Sequence, residues 1–191
     1  LRAPIEDGEV TITRAAGSVT LPSRFMLVGA MNPCRCGWYG HPSGRCRCTK
    51  QQVEKYVEKI SGPMLDRMDL HVNVPSVEFE AMRRREKAES SADVRARVNK
   101  ARERQKERFA GTNVACNAQM TPAMVGEYCT LDTSGEKLLK GAFDRLGLTA
   151  RSHDRLLRVA RTIADLDGSE KIEAQHLAEA IQYRNTDILQ G

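Results

Sequence analysis

The sequence predicts an α/β segment followed by an all-helical one, and three observations carry that expectation. Strand-like alternation is confined to the first 76 residues. Helix caps and 3.6-residue periodicity fill most of the remainder. Between them in character, four cysteines crowd into one short stretch as Cys34-Arg-Cys36 and Cys46-Arg-Cys48. The expected division is therefore residues 1–76 and residues 77–191.

Glu9-Val-Thr-Ile-Thr-Arg14 alternates polar and apolar side chains with β-branched content, as a half-exposed strand does. Ala15-Ala-Gly-Ser18 is a turn, Val19-Thr-Leu21 returns as the second arm of a hairpin, and Pro22 ends the pairing. Phe25–Ala30 is a nearly continuous apolar run, the pattern of a strand buried on both faces of a parallel sheet. Asn32-Pro33 stops it. Lys50–Ile60 places Val53, Tyr56, Val57 and Ile60 on one helical face, and Gly62-Pro63 breaks that helix before a turn at Met64–Met68. Leu70–Val74 alternates again as a strand closed by Pro75. A hairpin and two core-type strands cannot cover a parallel sheet alone, so this half reads as the distal part of a larger α/β unit.

Helices follow. Ser76–Lys87 is charged and opens the first of them, and Ser90 or Ser91 caps a long basic helix that ends near Ala110-Gly111. Thr121-Pro122 supplies a cap and a first-turn proline for a helix reaching about Cys129. Thr133-Ser-Gly-Glu136 has capping-box spacing ahead of Leu138, Leu139 and Phe143. Thr149 caps a helix through about Leu166 with Gly168 beyond its end, and Ala174–Tyr183 closes a small bundle.

Composition narrows the functional classes. The chain has 191 residues, 40% hydrophobic and 29% charged, which suits a globular protein. No apolar run approaches the ~20 residues that span a bilayer, and no secretory signal pattern opens the chain. Cysteine usage points to a reducing, cytoplasmic setting, with Cys116 and Cys129 as small buried hydrophobes. A net charge of +5 with pI near 9.0 accommodates a nucleic-acid partner. Much of the excess falls on Arg95, Arg97, Lys100, Arg102, Arg104, Lys106 and Arg108, opposed there by Asp93, Glu103 and Glu107. The same pattern describes a solvated helix face.

Four soft thiolates converging around a glycine- and proline-rich loop match tetrahedral Zn²⁺, with Cys34, Cys36, Cys46 and Cys48 as ligands. Two disulfides, Cys34 with Cys46 and Cys36 with Cys48, or four free thiols, are the alternatives. With all four positions filled, such a zinc has no open site for water and its role is structural. Asn32, just past a central strand, could orient a water or phosphate, or simply end the strand. Arg67, in Leu65-Asp-Arg-Met-Asp-Leu70, has the fork that clamps a phosphate, and equally the neighbours for a surface ion pair. Arg151, Arg155 and Arg158 share a helix face, with Arg151 near the positive helix end, where a bound phosphate or Asp154 would balance it.

Four runs in order, Glu6-Asp-Gly-Glu-Val-Thr-Ile-Thr-Arg-Ala15, Leu27-Val-Gly-Ala-Met-Asn-Pro-Cys34, Ile60-Ser-Gly-Pro-Met-Leu-Asp-Arg67 and Arg158-Val-Ala-Arg-Thr-Ile-Ala-Asp-Leu166, resemble the magnesium-chelatase-like AAA+ ATPases. Within them the sequence is most similar to the bacterial competence-protein ComM group, whose members fit the cysteine pairs. The resemblance implies that residues 1–76 are the distal part of an AAA+ core and 77–191 its helical lid. It implies that Glu9 to Leu21 is the pre-sensor-1 hairpin pointing into a ring pore, Asn32 sensor 1, Arg67 the arginine finger reaching a neighbouring subunit, and Arg151 (or Arg155) sensor 2. It implies ATP and Mg²⁺ as cofactors, a hexameric ring, and work on DNA as a branch-migration helicase in recombination and natural transformation. The alternatives are a chelatase subunit that drives Mg²⁺ into a porphyrin, and a zinc-stabilised binding module with no ATPase role. No G-x-x-x-x-G-K-[ST] and no Asp-Glu strand end occurs in the chain. Both belong upstream of Leu1 in that family, so the 191 residues alone are expected neither to bind ATP tightly nor to hydrolyse it.

Overall fold

A computed structural model describes residues 2–77, 83 and 88–184. The fold is mostly helical, with one two-stranded antiparallel sheet among the described residues. It divides into two units, Leu1–Met68 and Asp69–Asn185.

The first unit opens with a short helix not anticipated from sequence, α1 (Arg2–Asp7). Gly8, at φ 68°, turns the chain into the hairpin β1 (Glu9–Arg14) and β2 (Gly17–Pro22), paired from Glu9↔Pro22 to Arg14↔Gly17. Cross-strand hydroxyls meet on one face, Thr11 with Thr20 at 3.0 Å and Thr13 with Ser18 at 3.2 Å. Pro22 sits at the last pair, where a missing N–H costs least.

The expected strand Phe25–Ala30 does not form. Its residues join no ladder, and Met26 and Val28 are 88% and 81% exposed. The physical reason is that a strand exists only by pairing, and the described residues hold no neighbour for this one beyond the closed hairpin. Leu70–Val74, in the second unit, is corrected on the same ground. The His71 N–H donates to the Tyr183 carbonyl at 2.8 Å.

After the cysteine loop, α2 (Lys50–Val57) starts with a full capping box between Thr49 and Gln52 and buries Val53. The turn α3 (Gly62–Leu65) carries Pro63 in its first turn. Of the helix expected over Ser76–Lys87, Ser76 and Val77 are not helical, Arg83 is, and the remainder lies outside the described residues.

The second unit packs its helices around a shared core. Ser90 caps α4 (Ser91–Arg108), accepting from the Asp93 amide at 3.2 Å. A 3-10 turn at Asn117–Gln119 leads to α5 (Pro122–Tyr128), capped by Thr121 as expected. The next helix, α6 (Thr133–Leu146), is capped by Asp132 rather than Thr133. The carboxylate accepts from the Gly135 amide at 2.7 Å and holds Ser134 as well, and these bonds keep its pKa below the usual range. Thr149 caps α7 (Ala150–Asp167), which ends on Gly168 at φ 83°, and α8 (Ala174–Gln182) follows. Leu156, Ala160, Ala164, Leu177 and Ala180 are fully buried at the α7–α8 contact. Phe109, Met120, Val125 and Leu139 close over them. Cys129 is buried, as anticipated, while Cys116 is only half-buried.

Candidate functional site

The cysteine loop gathers its sulfurs without help from sheet or helix. Positive-φ glycines at Gly37 and Gly44 let the chain reverse twice, and backbone bonds from Gly37 N–H to Cys34 and Gly44 N–H to His41 close the turns. The Sγ atoms of Cys34, Cys36, Cys46 and Cys48 all lie within 4.8 Å of one another. Cys34 stands 3.2 Å from Cys36 and 3.8 Å from Cys46, and Cys36 is 3.6 Å from Cys46. A tetrahedron of ~2.3 Å Zn–S bonds has edges of about 3.8 Å, so the donor set fits that ion in number, softness and spacing.

Amides aimed at sulfur reinforce the fit. The Trp38 amide leads in drawing the Cys36 thiol down to about 6. Burial pushes Cys34 up, yet the amides of Tyr39, Cys36 and Trp38 outweigh it and leave its pKa lowered. Cys46 is drawn down by the Cys48 amide, but burial and the crowding Cys36 and Cys34 sulfurs lift it to about 11. Four sulfurs this close repel one another's charge, which a divalent cation would relieve.

Asn32 stands at the mouth of this loop, its amide 3.8 Å from the point a Cβ on Gly37 would occupy. Arg67, on the far side of α2 in sequence, extends back to α1. Its Nε donates to Glu6 Oε2 at 2.9 Å, Nη2 contacts the same oxygen, and Nη1 donates to the Pro63 carbonyl at 2.7 Å. Arg67 thus pairs with the carboxylate of Glu6. Arg151 belongs to the second unit, exposed in the first turn of α7. Arg155 is mostly covered and lies 3.8 Å from Asp69, and Arg158 keeps a buried Nε with no hydrogen bond among the described residues.

Residues 88–184 match the family described as magnesium chelatase, subunit ChlI C-terminal, and residues 1–82 match magnesium chelatase, subunit ChlI. The chain belongs to the magnesium chelatase family. It is 42% identical over 190 residues to the uncharacterized protein YifB of Escherichia coli, covering 99% of this chain and 36% of YifB. YifB of Salmonella typhimurium is 40% identical over 190 residues, again 99% of this chain and 36% of the relative. Competence protein ComM of Haemophilus influenzae is 40% identical over 185 residues, 96% of this chain and 35% of ComM. The chain therefore spans about a third of the length of these relatives and falls in the ComM group of this ATPase-related AAA+ family. No helix among the described residues is long and apolar enough to cross a membrane.

Sequence reasoning missed one polar assembly in this family member. Asp165 is buried and accepts from Arg108 Nη1 at 2.8 Å, Asn117 Nδ2 at 2.8 Å and Arg161 Nε at 3.1 Å. Burial works against its charge, but these donors outweigh it and hold the carboxyl below its usual range. Arg161 also donates to the Ser169 and Glu170 carbonyls at 2.7 and 2.8 Å, tying down the chain just past the end of α7, while its own burial lowers its pKa. The available signal was the i,i+4 spacing of Arg161 and Asp165, which also describes an ordinary surface pair.

Proposed function

We propose that the complete protein is a ring-forming, ATP-driven DNA motor that promotes branch migration, and that this chain supplies its neighbour-sensing and lid elements. Residues 1–76 are the end of the AAA+ core and 77–191 the lid. Asn32 orients the attacking water as sensor 1, and Arg151 reads the nucleotide from the lid as sensor 2. Arg67 stabilises phosphoryl-transfer charge in the adjoining subunit of a hexamer. ATP and Mg²⁺ are held by upstream residues, and a structural Zn²⁺ sits on Cys34, Cys36, Cys46 and Cys48. The setting is the reducing cytoplasm, where four thiols persist.

The observation that supports this reading best is a four-sulfur cluster directly after Asn32 in a chain 40% identical to a competence protein along almost its whole length. Arg67 supports it further, because its guanidinium is held by the Glu6 carboxylate, whose place a phosphate would take. The family match also accommodates a chelatase, in which the same ATPase would serve Mg²⁺ insertion into a porphyrin.

The test is the complete protein on forked and three-stranded DNA with ATP. The motor reading expects DNA-stimulated hydrolysis and strand exchange. DNA-indifferent hydrolysis, with partner-dependent metal insertion into a porphyrin, would replace it by the chelatase reading.

A further inference from the structure

A second stretch of the chain, besides α4, carries charge that suits a nucleic acid. Along α4 three of the seven cations face a carboxylate among the described residues. Arg97 binds Glu89 at 2.6 Å, Lys106 faces Glu103 at 3.7 Å, and Arg108 is committed to Asp165. Between Glu9 and Glu54, by contrast, there is no Asp or Glu at all, while Arg14, Arg24, Arg35, Arg45, Arg47 and Lys50 fall in that interval. Four of these six, Arg35, Arg45, Arg47 and Lys50, are exposed on the cysteine loop and its exit. None takes part in an ion pair among the described residues.

An aromatic group sits within that charge. Trp38, the only tryptophan in the chain, remains 37% exposed at the tip of the loop. The Arg45 guanidinium lies 5.1 Å from its ring centroid, and His41 meets it edge-on at 4.9 Å. A cation on one side of an exposed indole holds the ring in place. The tight turns on either side, pinned at the sulfurs, keep it from collapsing into a core.

We propose that the Cys34–Cys48 loop is a nucleic-acid-binding knuckle for single-stranded DNA, in which Trp38 stacks on a base and Arg35, Arg45, Arg47 and Lys50 hold the flanking phosphates. Unpaired bases offer the π-face that an indole needs, and duplex DNA does not. The cysteine cluster then does more than brace the chain beside Asn32: it presents a strand-gripping surface next to the nucleotide-sensing residue. This inference rests on the DNA part of the motor reading.

The test is binding of the zinc-loaded chain to a fluorescein-labelled oligothymidylate of about 20 nucleotides, followed by anisotropy from about 50 to 200 mM salt. Arg45→Gln with Arg47→Gln should weaken binding at least about tenfold and flatten the log–log salt slope by about 1.4, two phosphate contacts' worth. Trp38→Ala should weaken it about tenfold while Trp38→Phe stays within about threefold of wild type, since a phenyl ring still stacks. Lys100→Gln with Arg102→Gln on α4, the same charge change away from the loop, should cost less than the loop pair does. If the arginine pair fails to retain zinc, Arg35→Gln with Lys50→Gln makes the same charge change outside the second cysteine pair and decides the matter. Loop variants that keep their zinc and bind within about twofold of wild type would overturn the knuckle and leave the motor reading standing. Failure of the wild-type chain to bind the oligonucleotide would remove the knuckle; if the complete protein also ignored DNA, the motor reading would go with it.

Discussion

Residues 69–185 and residues 1–68 are held together by different physics. The helical unit buries a continuous apolar core from Phe109 to Ile181, and α6 and α7 each start on a side-chain cap and end on a left-handed glycine. The first unit buries only Cys34 and Val53 among its described hydrophobic side chains, while Phe25, Met26, Leu27, Val28 and Met31 lie open. Packing accounts for one unit. In the other, order rests on a hairpin, a capped helix and four converging sulfurs, and the apolar run from Phe25 to Met31 is left uncovered. A unit of the first kind should tolerate loss of metal, and one of the second kind should not.

The largest effect expected from that contrast is on the cysteines. Cys46→Ser with Cys48→Ser should take bound zinc from about one equivalent to near zero, removing on the order of 10 kcal/mol of metal-linked folding energy. Limited proteolysis should then cut within 34–48 while the helical circular-dichroism signal of the second unit persists. Retention of zinc, or collapse of both units together, would break the comparison.

Next in size is the polar assembly that the helical unit buries in place of apolar packing. Asp165→Asn leaves Arg108 and Arg161 facing each other without their carboxylate and should cost about 3–5 kcal/mol in a urea melt. The same carboxyl sets a pH dependence. Its folded pKa lies below its unfolded one, so the stability it contributes is present at neutral pH and lost as pH falls through the folded value. Acid melts should therefore steepen below about pH 4 in wild type and flatten in Asp165→Asn. An unchanged acid limb in the variant would mean another group governs it.

A smaller effect separates two adjacent residues. Asp132→Ala should cost about 1 kcal/mol by removing the true cap of α6, and Thr133→Ala should stay within about 0.5 kcal/mol. The reverse order would restore the capping box that the sequence suggested.

That one-residue error shows what a sequence makes legible here. Caps at Ser90, Thr121 and Thr149 could be read because a hydroxyl reaching an amide three residues on is a local event. Thr133 misled because Thr-x-x-Glu imitates a box, while Asp132 one position earlier is the better acceptor. The strand segments at 25–30 and 70–74 failed for a deeper reason: alternation and apolar runs report burial, and pairing depends on segments elsewhere. The sulfur cluster was legible from spacing alone, since its donors are close in sequence. The burial of Arg161 was not, because it depends on the packing of α7 against α4 and the 3-10 turn.

The motor itself is tested most directly at Arg67, in rings of the complete protein assembled from wild type and Arg67→Ala subunits in varying ratio. An arginine that acts on its neighbour's nucleotide predicts ATP hydrolysis falling more steeply than the wild-type fraction, because each altered subunit silences a site it does not own. Hydrolysis that falls in strict proportion would contradict action in trans and leave Arg67 as the partner of Glu6.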